Sequence, residues 1–267
     1  MKSNLLKLVR DYWEQSSCGE RLYLKERSAE GYREQAEIRY DLEPYIADFA
    51  SFEGCEGKRI LEIGTGLGAD HERFAGFGGT LHGIDLSDRA IRHTDDRFKA
   101  AHLCSHLCLA NAEDLPYADA TFDVVYSWGV LHHVPDTQKA VNEIFRVLKR
   151  GGEVRVMIYH RYSIVGLMLW LRYGLPKLKF NLKEIYAEHL ESPGTKAFSF
   201  SETRSLFRDF RNIQIKSVLT HGDLLLSRAG QRHCRGVIDV IRKLWPRFLI
   251  KRLFFNKGLY LLITACK

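Results

Sequence analysis

The hydrophobic and polar positions of this chain alternate in blocks that predict strands and helices in turn. Short β-branched or apolar runs, typical of buried strands, recur between longer stretches whose apolar positions lie three or four residues apart, as in amphipathic helices. The predicted strands are 59–63, 80–84, 106–110, 122–127, 153–159, 212–219 and 259–265, and the predicted helices are 69–77, 87–100, 137–149 and 201–210. This alternation is typical of a parallel sheet with helices on both faces, so we predict an α/β fold.

Three stretches fall outside the alternation. Residues 1–57 are polar and helical in pattern, with interspersed aromatic side chains, and are predicted to form an N-terminal helical cap. Residues 160–198 and 221–257 interrupt the later part of the pattern. Because ligands bind at the carboxyl edge of such sheets, we expect both insertions to form a lid there. Residues 58–267, with both insertions included, are predicted to form one domain.

A glycine-rich turn follows the first predicted strand, in Leu61-Glu62-Ile63-Gly64-Thr65-Gly66-Leu67-Gly68. Glycines let the backbone approach a ligand closely, and the helix that follows offers free amide donors. The spacing Gly-x-Gly-x-Gly differs from the Gly-x-Gly-x-x-Gly of many dinucleotide-binding enzymes. Asp85 ends the next strand, where a carboxylate can accept hydrogen bonds from both hydroxyls of a ribose. Together these features predict a ligand that contains a ribose.

Six motifs, in order, resemble those of class I S-adenosylmethionine (SAM)-dependent methyltransferases, in particular the ubiquinone and menaquinone biosynthesis methyltransferases. They are 61–70, 83–87, 111–117, 122–127, 131–136 and 143–152, and they cover about residues 58–160. The resemblance implies a Rossmann-like seven-stranded sheet in the order 3-2-1-4-5-7-6, with only the last strand antiparallel. It also implies SAM as the cofactor.

The resemblance further implies which residues hold SAM. The methionine portion is expected to contact Glu62, Gly64, Thr65, Gly66 and Gly68, and the ribose to contact Asp85. The adenine is expected to contact Leu86, Asn111, Ala112 and Glu113. Ser127 and His132 are expected on the cofactor side of the site. Asn111 replaces the more usual aspartate, but an amide oxygen can still accept a hydrogen bond from adenine. Tyr23 or Tyr40 of the cap could place a ring near the sulfonium in a cation–π contact, with core packing as the alternative.

The candidate catalytic residues are two histidines. The methyl group of SAM is already activated, so a base is needed only where the acceptor has a proton to lose. His133 and His160 follow two strands at the ligand-binding edge, and each has a structural role as its alternative. The run 102–108 resembles a metal-binding cluster, but its alternating residues fall on an internal strand without a second ligand pair. No metal is therefore predicted.

Charge and cysteine usage bear on partners and location. Residues 151–267 hold 21 Lys and Arg against 8 Asp and Glu, which indicates an acidic or membrane-surface partner, or else a solvated basic face. We predict that 228–257 is a basic amphipathic element that contacts a membrane or an anionic, lipid-like substrate, with packing on the sheet as the alternative. Six scattered cysteines need no disulfide framework, and no signal peptide is visible. We expect a cytoplasmic protein, at most peripheral to a membrane.

These patterns predict an enzyme that transfers the methyl group of SAM to a small, partly hydrophobic acceptor, with oxygen favoured over nitrogen and carbon. One alternative is an RNA methyltransferase that uses the basic half, although no RNA-binding module is recognisable and nucleic acid is not the expected partner. The other is a non-catalytic or NAD-binding Rossmann-like protein, against which the glycine spacing argues.

Overall fold

Seven strands form a single mixed sheet in the computed structural model, which describes residues 2–178, 181–226 and 243–267. The strands are β1 Arg59–Ile63, β2 Thr80–Asp85, β3 His106–Leu109, β4 Phe122–Trp128, β5 Leu148–Tyr159, β6 Arg211–Val218 and β7 Tyr260–Cys266. Their order is β3-β2-β1-β4-β5-β7-β6, and β7 runs antiparallel to both β5 and β6. The predicted topology is confirmed, including the insertion of the last strand between the fifth and sixth.

Helices surround this sheet and form the N-terminal cap. They are α1 Lys2–Gln15, α2 Glu20–Tyr23, α3 Ala29–Leu42, α4 Tyr45–Ala50, α5 Ala69–Gly76, α6 Asp88–Ala100, α7 Thr137–Val147, α8 Ile164–Leu169, α9 Leu182–His189, α10 Phe200–Leu206 and α11 Arg247–Leu253. A π-helical turn, Trp170–Gly174, and a 3-10 turn, Leu175–Lys177, continue α8. The stretch before β1 is helical, as its pattern predicted.

Successive residues of the central strands pack into two cores on opposite faces of the sheet. Leu61 and Val125 pack with the apolar side of α7, whereas Ile60 and Val124 pack with Phe74 of α5 and with α4. Both faces are therefore covered, which explains why these strands are continuous apolar runs in the sequence.

The boundary between α7 and β5 differs from the prediction. The helix predicted for 137–149 ends at Val147, and Leu148 is extended, with φ −70° and ψ 138°. Leu148 pairs with Phe122 of β4, so strand pairing prevails over helical periodicity here. Gly151 lies inside β5 and has a φ of +80°, a conformation that favours glycine.

Candidate active site

A cavity opens at the carboxyl ends of the central strands, where the sequence predicted the site. Ten of the predicted site residues line it, namely Glu62, Gly64, Thr65, Gly66, Gly68, Asp85, Leu86, Asn111, Ala112 and His133. They belong to four motifs that are separate in the sequence. The sheet brings these motifs together because β1 lies between β2 and β4.

The glycine loop has the form of a cradle for a ligand. Gly64 has a φ of +82°, and a Cβ there would lie 2.1 Å from Val130 Cγ2, so a side chain has no room. Gly66 has a φ of +56° and open space where its side chain would be. The Thr65 hydroxyl is buried and has no hydrogen-bond partner among the described residues. Since buried polar groups are normally paired, this cradle fits the polar methionine portion of SAM.

Asp85 is held with its carboxylate toward the cavity. One oxygen accepts from the Gly66 amide at 3.1 Å and the other from the Ser87 amide at 3.0 Å. Burial raises the pKa of Asp85, and these backbone hydrogen bonds oppose that rise. A carboxylate oxygen can accept more than one hydrogen bond, so both oxygens can still accept from the hydroxyls of a ribose.

The end of the cavity beside β5 and β7 carries carboxylates that the sequence did not single out. Tyr159 donates a hydrogen bond to Glu191 at 2.7 Å, and Glu43 also lines the cavity. Burial raises the pKa of Glu43, although Arg39 lies 3.3 Å away. Glu43 follows α3 and Glu191 follows α9, so they meet only in the folded chain and no local motif marks them.

His133 lines this end of the cavity, and its two ring nitrogens have different surroundings. Its Nδ1 lies 2.8 Å from Ser192 Oγ and 3.2 Å from Thr195 Oγ1. Thr195 donates its own hydrogen to the Ser192 carbonyl at 2.6 Å, so toward His133 it can only accept. A neutral His133 ring that carries its proton on Nδ1 can donate to these two hydroxyl oxygens. Nε2 makes no hydrogen bond among the described residues and lies 3.3 Å from Glu191 Oε2, so it can take a proton from a ligand.

Three of the predicted contacts need correction, because Tyr23, Tyr40 and His160 do not line the cavity. The Tyr40 hydroxyl donates to Asp70 at 3.1 Å, and the Tyr23 ring lies against the backbone of the turn before α2. His160 Nδ1 lies 3.1 Å from the Gly258 carbonyl, to which it donates. This hydrogen bond joins the end of β5 to the chain before β7, and the ring lies outside the cavity where a base would act.

Another three predicted residues, Glu113, Ser127 and His132, lie outside the lining. Glu113 accepts from the backbone amide of Asp136 at 2.8 Å, and the Ser127 hydroxyl donates to the Ile63 carbonyl at 3.1 Å. His132 stacks on a lining ring, that of Tyr159, with centroids 3.8 Å apart. Burial lowers the pKa of His132 well below its usual value. Ser127 and His132 thus contact residues that line the cavity, Ile63 and Tyr159.

The cover of the cavity also differs from the prediction. The first insertion contributes Glu191 to the lining, but 221–226 and 243–257, the described parts of the second, contribute no residue. The N-terminal cap covers the site instead, and its lining residues include Leu6, Val9, Trp13 and Cys18.

His132, His133 and Glu191 bring one potential metal-ligand atom each within 4.8 Å of one another. Two of these groups are engaged in other contacts, since Glu191 accepts from Tyr159 and His133 Nδ1 bonds to Ser192. Among the described residues, the run 102–108 does not bring three potential metal ligands together.

A family model described as a methyltransferase domain matches residues 61–156. Residues 61–156 are a methyltransferase domain. Its cofactor is S-adenosylmethionine. The matched range runs from β1 through most of β5 and includes the glycine loop, Asp85 and His133.

Individual proteins resemble this chain mainly through that domain. The 27-O-demethylrifamycin SV methyltransferase of Amycolatopsis mediterranei is 36% identical over 101 residues, which are 37% of each chain. The ubiquinone biosynthesis O-methyltransferase of Rhizobium leguminosarum is 28% identical over 57% of this chain and 63% of that one. A SAM-dependent methyltransferase from Thermotoga maritima shares the fold, with a TM-score of 0.50 and 20% identity over 87% of this chain and 97% of its own.

The chain spans 28% to 63% of the lengths of the first three curated relatives. Relatives of the methyltransferase domain are named as O-, N- and C-methyltransferases, so the resemblance leaves the acceptor atom open.

Proposed function

We propose that the chain transfers the methyl group of SAM to a hydroxyl oxygen of a small, partly hydrophobic acceptor. The observation that carries this proposal is the arrangement of His133 with Ser192, Thr195 and Glu191. SAM supplies a methyl group on a positively charged sulfur. Ser192 and Thr195 keep the neutral His133 ring protonated at Nδ1, so Nε2 accepts the hydroxyl proton, and Glu191 at 3.3 Å stabilises the resulting imidazolium.

Oxygen is favoured because a hydroxyl must lose its proton as it becomes an ether, and this site offers a base in the cavity. The aromatic rings of Trp13, Trp128, Tyr159 and Tyr260 line the cavity and suit a partly hydrophobic acceptor. Since the methyl group is already activated, the remaining task of the protein is to align the acceptor and exclude water.

We expect S-adenosylhomocysteine to bind and to raise the melting temperature, because a ligand at 100 times its Kd stabilises the folded state by about 2.7 kcal/mol.

Replacing Asp85 with Ala should weaken binding of S-adenosylhomocysteine about tenfold or more, since hydrogen bonds to charged groups contribute roughly 1.5–3 kcal/mol. Thermal unfolding measures the shift in melting temperature, and isothermal titration calorimetry measures the affinities. Asp88→Ala, at a carboxylate that is 52% exposed, is the matched control and should bind normally. Equal affinities for the Asp85 variant and wild type would contradict the site, and binding of NAD instead would favour the NAD-binding alternative.

We also propose that the chain, from a cytoplasmic position, meets a membrane surface through 228–257. Residues 228–242 of this segment lie outside the described residues. In the remainder, Leu244 and Phe248 are 80% and 79% exposed, and Lys251 and Arg252 are exposed as well. Each helix of the described part is too short or too polar to cross a bilayer, so the proposed contact is peripheral.

Replacing Lys251 and Arg252 with Glu should weaken binding to anionic vesicles about tenfold or more, because each cation near an anionic leaflet contributes about 1 kcal/mol. Co-sedimentation at low salt with vesicles of phosphatidylcholine and phosphatidylglycerol measures this. Arg92→Glu with Lys99→Glu is the matched control, since both cations are well exposed on α6 (62% and 73%). If both double variants sediment like wild type, the contact is not made here.

A further inference from the structure

Two segments that are far apart in the sequence, 164–178 and 243–257, pack side by side. Ile164 and Met168 of the first share an apolar cluster with Trp245 and Ile250 of the second. The backbone amide of Ile164 donates to the carbonyl of Lys257 at 2.9 Å. These contacts join the two segments into one surface element.

Hydrogen bonds to Asp223 also connect the two segments. Its carboxylate accepts from the Val165 amide at 3.2 Å and from the Leu259 amide at 2.9 Å. Its backbone carbonyl accepts from Trp245 Nε1 at 2.9 Å. Because Asp223 is buried, its charge is not presented on the surface that the two segments form.

Away from their shared core, both segments expose large hydrophobic side chains. Leu167, Leu171 and Leu175 recur at every fourth position and are 52%, 49% and 46% exposed. Ten of the seventeen exposed large hydrophobic side chains in the described residues belong to these segments, namely Leu167, Leu171, Leu175, Leu178, Leu244, Phe248, Leu249, Leu253, Phe254 and Phe255. Single exposed hydrophobic residues are ordinary, but a concentration of this kind marks an interaction surface.

The charges on these segments are of one sign. The sequence has no Asp or Glu in 161–183 or in 240–267. Exposed cations accompany the apolar side chains in both segments, namely Arg172, Lys177, Lys243, Lys251, Arg252 and Lys257. Apolar side chains enter the boundary between headgroups and acyl chains, while cations pair with anionic headgroups. An anionic lipid surface is therefore the partner whose chemistry this face complements.

We propose that 164–178 and 243–257 form one membrane-binding face that docks on an anionic leaflet. The inference rests on the membrane contact proposed for 228–257 and adds to it the segment that follows β5. That segment begins shortly after Tyr159, which lines the cavity. The proposed lipid contact thus follows in the chain from a strand whose last residue lines the cavity, in keeping with a partly hydrophobic acceptor.

The test uses the full chain with S-adenosylhomocysteine, and vesicles of phosphatidylcholine alone or of phosphatidylcholine and phosphatidylglycerol in equal amounts. Replacing both Leu167 and Leu171 with Gln should weaken binding to the anionic vesicles at least tenfold, although 228–257 is intact. The double variant Phe248→Gln with Leu253→Gln should lose a similar amount. As the matched control, Leu22→Gln with Phe77→Gln changes two side chains that are 45% and 38% exposed elsewhere, and it should bind like wild type. Unchanged affinity for S-adenosylhomocysteine shows that each variant is folded.

The outcomes of this test distinguish the two-segment face from the membrane contact proposed for 228–257. Normal binding by the Leu167 and Leu171 variant, with loss in the Phe248 and Leu253 variant, overturns the two-segment face but supports the contact through 243–257. Equal binding of wild type to both vesicle types overturns the requirement for anionic lipid. Absence of wild-type binding to either vesicle overturns both proposals and favours a protein partner, while the methyl-transfer proposal is tested separately by S-adenosylhomocysteine binding.

Discussion

Replacing Arg97 with Met should lower the melting temperature by about 10 °C. Arg97 of α6 is buried and donates at 2.9 Å both to Gln35 Oε1 and to the carbonyl of Leu67. It also donates to the carbonyl of Tyr32 and to the carboxylate of Glu72. Methionine occupies similar volume but leaves these acceptors without their donor. Breaking a buried charged network costs about 3–5 kcal/mol, and each kcal/mol shifts the melting temperature of a chain of this size by roughly 2–4 °C.

Thermal unfolding with and without S-adenosylhomocysteine measures this effect. Gln35 belongs to the cap and Leu67 to the glycine loop, so the Arg97 variant should also gain less stability from the ligand than wild type does. Arg92→Met is the matched control, because Arg92 lies on the same helix and is 62% exposed in its pair with Asp88. Surface ion pairs contribute about 0–1 kcal/mol. A shift for Arg97→Met no larger than that of the control would contradict the view that Arg97 joins the cap to the site.

The sheet could be predicted from the sequence because its strands carry strong local signals. Strands covered on both faces are apolar runs, and the glycine loop marks the turn after β1. The boundary at Val147 and Leu148 could not be predicted in the same way, because apolar residues there suit the face of a helix and a buried strand equally. The pairing of Leu148 with Phe122 decides it, and that pairing depends on the folded sheet.

The site was predictable only where its residues belong to motifs at strand ends. His133 and His160 both follow strands, so the local sequence does not separate them. His133 faces the cavity because Ser192 and Thr195 hold its Nδ1, whereas His160 bonds to the carbonyl of a distant residue, Gly258. Glu191 reaches the cavity from a loop within an insertion, for which no motif gives a position. The same holds for Glu43, which lies at the end of a cap helix.

Replacing His133 with Gln should lower kcat by about 10²–10⁴-fold, the usual contribution of a general base. The affinity for S-adenosylhomocysteine should change by less than about threefold, because the predicted SAM contacts are to other residues and the loss falls on the reacting proton. The measurement is steady-state kinetics on a hydroxyl acceptor that wild type methylates, found by screening alcohols and phenols for S-adenosylhomocysteine release.

His160→Gln is the decisive control, because the sequence makes His160 the second candidate after His133 and the structure places its ring outside the cavity. It should keep kcat near that of wild type, provided that S-adenosylhomocysteine still binds and shows the fold to be intact. Glu191→Gln should fall between the two, because the carboxylate stabilises the imidazolium at 3.3 Å without itself taking the proton. If His133→Gln retains the wild-type rate while His160→Gln loses it, the proton is removed from the other side of β5. An unchanged rate in both variants would mean that the acceptor needs no base, which favours an acceptor atom other than a hydroxyl oxygen.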